Sequence, residues 1–218
     1  MRKLHLVMAA LMVASAVSGQ TLFGIFGGPQ STSARYTIEN TVQKTDYKYG
    51  YQGGICWNVL LEGNLHFSPA LFYSLKGYKV TYNKAAYPPD VTATDNNVTL
   101  QTVEIAPMIQ IDLSKNPDHF FIKTGPSLDL QLYGTEKFHL LNGEMISRSM
   151  HFGFADYGRF GATIIAQLGF ETRNGYILFA QYSYGIGSIN NADDGPRIYH
   201  RVLGFSLGKY IIRKKHNK

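Results

Sequence analysis

Hydrophobic and polar residues alternate without a break from Val103 to Leu113. Val103, Ile105, Pro107, Ile109, Ile111 and Leu113 fall on one side; Glu104, Ala106, Met108, Gln110 and Asp112 fall on the other. A period of two marks a β-strand, because successive side chains leave a pleated backbone on opposite faces. The run is about twice as long as an ordinary soluble strand. At about 3.3 Å per residue and a tilt of about 45°, it reaches across the hydrocarbon layer of a bilayer. The pattern predicts a membrane-crossing strand with one oily and one wet face.

The same alternation recurs along the chain. Ile55, Trp57, Val59 and Leu61 oppose Gln52, Gly54, Cys56 and Asn58, and Phe67, Pro69, Leu71, Tyr73 and Leu75 oppose His66, Ser68, Ala70, Ser74 and Lys76. Ile122, Thr124, Pro126, Leu128, Leu130 and Leu132 oppose Lys123, Gly125, Ser127, Asp129 and Gln131. Ala162, Ile164, Ala166, Leu168 and Phe170 oppose Gly161, Thr163, Gln167 and Gly169. Tyr176 to Ile186 and Arg201 to Ile211 add two more strands, and Leu22 to Pro29 a weaker first one, which brings the count to eight. Short polar turns (Glu62-Gly63-Asn64, Ser114 to His119, Thr172 to Gly175) alternate with longer polar stretches near Gln30 to Asp46, Asn83 to Asn97, Gly134 to Met150 and Ile189 to Tyr199. Loops sorted by parity are the habit of outer-membrane barrels, whose periplasmic turns are short and whose outer loops are long. The expected fold is all-β, an eight-stranded antiparallel up-and-down transmembrane β-barrel, with both termini in the periplasm. Pro69, Pro107 and Pro126 interrupt the pattern, because a proline gives no ladder hydrogen bond. They are expected to mark bulges or kinks that help a small barrel curve, or else the ends of shorter strands.

The N-terminus reads as an export signal: basic Arg2 and Lys3, an uncharged apolar stretch from Leu6 to Val17, and small residues before a cut at Gln20. The expected organisation is a signal peptide over 1–19, a barrel over 20–212 and a basic periplasmic tail over 213–218. Arg2 and Lys3 belong to the signal and Arg213, Lys214, Lys215 and Lys218 to the tail, so the body keeps 15 basic residues against 15 acidic ones. The net charge of +6 is therefore an effect of the ends, and no nucleic-acid surface is expected. Charged residues make up 17% of the chain, below the roughly 25% of soluble domains, which suits a wall in contact with lipid. Cys56 is the single cysteine, so no intramolecular disulfide forms, and the thiol is expected to be buried and inert.

Several segments in order resemble the strand motifs of PorT-like outer-membrane β-barrel proteins of Bacteroidetes: Phe67 to Gly77, Val103 to Pro107, Phe121 to Pro126, Tyr182 to Ile186 and Arg201 to Tyr210. The resemblance covers essentially the whole chain after the signal. It departs at the end, where such barrels finish on an aromatic residue and this chain continues from Ile211 to Lys218. It implies fold and location, and some members resemble accessory parts of a secretion apparatus. It carries over no catalytic residue.

An eight-stranded barrel is just wide enough to be filled by side chains, so no pore is expected, and charges on the inward face need partners. Pairing across Ser114 to His119 sets Glu104 beside Asp129. Reflecting across the longer loops brings Lys76 to Glu104 and Arg159 to Asp129, which predicts a lumen belt of Lys76, Glu104, Asp129 and Arg159 with a structural role. His139, His151 and His200 lie in or near outer connections, with Ser147, Ser149 and Asp156 close to two of them, but no spaced motif ties them into a nucleophilic site. Asp193-Asp194-Gly195 lacks the further ligands of a calcium loop and reads as a turn. No enzyme activity, cofactor or metal is expected. The expected partners are outer-membrane lipids and a possible protein at the outer loops or the basic tail. Three readings follow: a surface-interaction or envelope barrel, a secretion accessory, and a soluble lipocalin-like binder with the oily face turned inward.

Overall fold

The computed structural model describes residues 21–213, so the predicted signal peptide and all of the tail beyond Arg213 lie outside the described residues. The described chain is all strand and turn: β1 (Thr21–Ile38), β2 (Thr41–Val42), β3 (Lys44–Asp46), β4 (Lys48–Glu62), β5 (Leu65–Phe67), β6 (Ala70–Thr81), β7 (Asp95–Ala106), β8 (Ile109–Asp112), β9 (His119–His139), β10 (Met145–Ser149), β11 (Phe160–Glu171), β12 (Tyr176–Gly185) and β13 (Arg197–Arg213). β5 with β6, and β7 with β8, each make one stave of the wall. Every pairing between these strands is antiparallel, and β1 pairs with β4 on one side and β13 on the other. Eight staves thus form a closed ring with no free edge, the condition for a sheet to sit in lipid. Gly63 (φ 58) and Gly175 (φ 79) hold two of the tight turns in the left-handed region that glycine enters at little cost.

The faces of the wall fall as the alternation predicts. Ile105, Ile109, Ile111 and Leu113 point outward and are exposed, whereas Glu104, Ala106, Met108 and Gln110 are buried inside. Ile25, Ile122, Leu128, Ile164, Leu168, Leu178, Leu203, Phe205 and Leu207 continue the outward apolar band around the ring. Aromatic pairs border it, with Phe23 against Trp57 (5.5 Å) and Phe120 against Phe170 (4.9 Å) toward the short turns and Tyr51 against Tyr73 (6.0 Å) toward the long loops. Such girdles mark the two interfaces of a membrane barrel. With the oily residues outside, the lipocalin-like arrangement is excluded.

The prolines prove to be one feature. The register from Phe67↔Ile109 continues unshifted to Ala70↔Ala106, so Pro69 falls opposite Pro107. On the next seam, Ile105↔Leu128 and Ile109↔Thr124 place Pro107 opposite Pro126. Three prolines therefore lie in one row across three adjacent staves. Each removes a ladder donor, and the ladder is interrupted along that row, between β5 and β6 and between β7 and β8. The interruption is shared by the two neighbouring staves, so the register is kept.

The wall also rises beyond the predicted strands. β1 runs on to Ile38, and β9 runs to His139 and folds back as β10, within stretches expected to be loops. The reason is local. Leu132 is an extra residue on β9, since Thr102 pairs with Gln131 and Gln101 with Tyr133. This bulge reverses parity, so Glu136 and Phe138 face inward while Thr135 and Lys137 face out. Above the bulge the outward residues are polar, and no oily face announces a strand.

Inside, the side chains stack in three layers. Phe26, Phe72, Met108, Phe121, Ile177 and Phe179 fill the short-turn end; Tyr36, Tyr78, Leu100, Met150, Tyr157 and Ile198 fill the long-loop end. Hydrogen-bonded polar groups lie between: Gln30 Nε2 donates to Ser74 Oγ (2.8 Å), Gln52 Nε2 to Ser206 Oγ (3.0 Å) and Gln167 Nε2 to Gln181 Oε1 (2.8 Å). Cys56, 3% exposed, belongs to the lower apolar layer. A membrane-permeant maleimide is expected to leave it unmodified in the folded barrel and to label it on unfolding; rapid labelling of the native state, followed by mass, would contradict this packing.

Candidate functional site

The polar layer contains the charges that the alternation singles out. Glu104 stands directly opposite Asp129, as pairing across the short turn requires. Lys76 Nζ lies 2.6 Å from Glu104 Oε1 and 2.9 Å from Asp129 Oδ2, with all three side chains buried. Lys76 is paired in register with Leu100, and Glu104 with Phe72. The ammonium therefore meets the carboxylates along the lumen, not across a rung, and its four-carbon stem gives it that reach. Ser127 Oγ donates to Asp129 Oδ1 (3.0 Å) and Thr102 Oγ1 to Glu104 Oε1 (3.2 Å). The group is a cross-brace joining β6, β7 and β9.

Arg159 is a correction to the predicted belt. Gly161 stands opposite Asp129; Arg159, two residues earlier, is exposed at the long-loop end. Its guanidinium lies over Phe152 (5.1 Å) and donates to the Gln131 carbonyl (3.4 Å). The reflection across the long connection is off by two residues because that connection carries its own β-structure.

Two further polar groups escape the alternation. At the long-loop end, Glu136 accepts from Arg148 Nε (2.7 Å), the Tyr157 hydroxyl (2.9 Å) and Asn96 Nδ2 (3.1 Å), while Arg148 Nη2 donates to the Pro89 carbonyl (2.8 Å). Burial works against the charge on Arg148, but the Glu136 carboxylate outweighs it and holds Arg148 above its ordinary value. Burial, then the neighbouring Tyr78 and Glu136, push the Tyr157 hydroxyl well above its usual range. This network fastens the β9–β10 hairpin and two loops into one cap. The bulge at Leu132 hides it from a period-two reading. At the short-turn end, Asp112 lies 2.8 Å from His66 Nε2 and 3.3 Å from His119 Nε2. His119 Nδ1 also lies 2.9 Å from the Asn116 carbonyl. The turn spacing alone gives no signal for that group.

The histidines considered for chemistry do not assemble a nucleophilic site. His139 pairs with Asp95 (2.9 Å), Ser149 bonds the Tyr133 hydroxyl (3.0 Å), and Asp156 accepts from the Tyr157 amide (3.0 Å). His200 turns into the lumen against Tyr78, at 5.7 Å between rings. No hydrogen bond between a histidine ring and a serine hydroxyl occurs among the described residues. Asp194 (φ 57) and the Gly195 amide bond to the Ala192 carbonyl (3.2 Å) form a turn.

A family model described as "Outer membrane protein beta-barrel domain" matches residues 16–191. The comparison with curated proteins returns no match. Among solved structures, the chain is similar to Ail, the attachment invasion locus protein of Yersinia pestis, at 12% identity and a TM-score of 0.42, covering 87% of this chain and 98% of that one. It is similar to Neisserial surface protein A at 12% identity and a TM-score of 0.42, covering 87% and 97%.

Proposed function

Since the chain belongs to the outer membrane protein beta-barrel domain family and is a barrel of the cell outer membrane, we propose that it works at the surface and not through its lumen, in surface interaction or envelope structure. One observation carries this reading: the lumen is closed by two apolar layers and a braced polar one, while the long-loop end is built up into an ordered cap. A filled barrel has no path for a solute, so what distinguishes it is what it displays. The long-loop end faces outside and both termini face the periplasm, in keeping with the usual sorting of loops. Lipids surround the wall, and a macromolecular partner engages the loops. The role proposed is not enzymatic and uses no cofactor.

Protease added to intact cells is expected to cut within the loops between β6 and β7 or between β12 and β13, leaving fragments joined in the membrane. Full protection, with cutting only after the outer membrane is broken, would reverse the orientation. A second reading, an accessory component of a PorT-like secretion system, is supported by the ordered strand motifs and by nothing in the lumen. Normal export of secreted cargo after deletion of the gene would count against it.

A further inference from the structure

The outer wall carries a cluster of cations that the lumen does not explain. Arg197, Tyr199 and Arg201 lie along β13 opposite Thr37, Arg35 and Ser33 of β1. Arg35 thus stands diagonally between two other arginines, whose backbone positions lie at the roughly 7–8 Å of diagonal strand neighbours. Among the described residues none of the three makes an ion pair; the bridged cations are Lys76, Lys84, Arg148 and histidines. Arg201 lies 5.7 Å from the Tyr184 ring centre, and its Nε is buried without a hydrogen-bond partner. A cleft of about 190 Å³ opens among Arg35, Thr37, Asn40, Tyr184, Arg197 and Tyr199. Asp193, Asp194 and Glu39 line the next cleft, on the loop side of Arg197, and Glu39 is engaged by Lys84 at 2.9 Å.

Height on the wall decides what this cleft takes. Directly below it on the outward face of β13 come Leu203, Phe205 and Leu207, all exposed, with Tyr182 beside Leu203. The cations therefore sit where hydrocarbon gives way to headgroups. Arginines on neighbouring strand positions without an acidic partner repel one another until an anion joins them, and the planar fork of arginine fits phosphate oxygens two at a time. The geometry points to a binding site for a phosphorylated lipid of the outer leaflet, its phosphate in the cleft between Arg35 and Arg197 and its acyl chains along Leu203, Phe205 and Leu207. A soluble anion would have no use for the apolar strip. The assignment to the outer leaflet rests on the orientation proposed above.

The test uses the full folded barrel in neutral maltoside micelles, with native mass spectrometry as readout and bisphosphorylated lipid A, dephosphorylated lipid A and inorganic phosphate as probes. Bisphosphorylated lipid A is expected to stay bound, the dephosphorylated form to bind at least about tenfold more weakly, and the double variant R35Q/R197Q to lose about tenfold or more. The charge-matched variant K79Q/K137Q, on the outward face of β6 and β9, is expected to change binding by less than about twofold. Equal binding of the dephosphorylated lipid, equal loss in both variants, or inorganic phosphate binding as tightly as the lipid would each overturn the site. A heat-dependent gel shift checks that both variants are folded. Protection of the loops in intact cells would overturn the orientation alone, since binding in micelles does not depend on it.

Discussion

Replacing Lys76 with Met is expected to destabilise the folded barrel by about 3–5 kcal/mol, because it leaves Glu104 and Asp129 facing each other with no cation between them. The two carboxylates are direct neighbours across the ladder, and neither has a route to water through the apolar layers above and below. The size of the loss reflects an uncompensated buried charge, not the worth of the ion pair. The triple variant K76M/E104Q/D129N removes all three charges and is expected to recover most of the loss, as buried ion pairs often exchange for neutral groups at little cost. Urea unfolding from lipid vesicles measures both. A single variant within about 1 kcal/mol of the parent, or a triple variant as unstable as the single, would remove the cross-brace from the account of stability.

Leu128 and Asp129 are consecutive, yet Leu128 is 66% exposed on the wall and Asp129 is 2% exposed in the lumen. Leu128→Arg is expected to cost about 2–4 kcal/mol, the penalty for a cation on the lipid face near the bilayer midplane. Thr135→Arg, further up β9 beyond the bulge, is expected to cost close to nothing, because that part of the wall stands above the hydrocarbon. The contrast in unfolding free energy between the two variants measures where the lipid ends. Equal effects would place the bilayer elsewhere on the wall.

Alternation carries over to structure wherever one face is uniformly apolar. The strand from Val103 to Leu113, the outward set on β11 and the placement of Glu104 beside Asp129 all follow from it, since a short turn leaves register little freedom. The pattern fails where that condition fails. Thr135, Lys137 and His139 are polar on the outward face of β9, so the upper wall reads as loop. The extra residue Leu132 shifts the inward set from odd to even positions and conceals Glu136. Arg159 is misplaced by two residues because the loop before it contains β10, whose hairpin takes up chain that a simple reflection counts as free. The three prolines are visible one by one, but their common row depends on register across two seams.

The pairing of β1 with β13 joins the two ends of the described chain. Until the last stave arrives, the sheet has two open edges, and each unpaired amide or carbonyl held in hydrocarbon costs several kcal/mol. The closing contact is also the most distant in sequence, so the entropy of bringing its partners together comes due before any of its hydrogen bonds form. A chain that stops before β13 is therefore expected to have no stable place in the bilayer at all. For this molecule insertion and folding are expected to be one event, with the arrival of β13 as the condition for either.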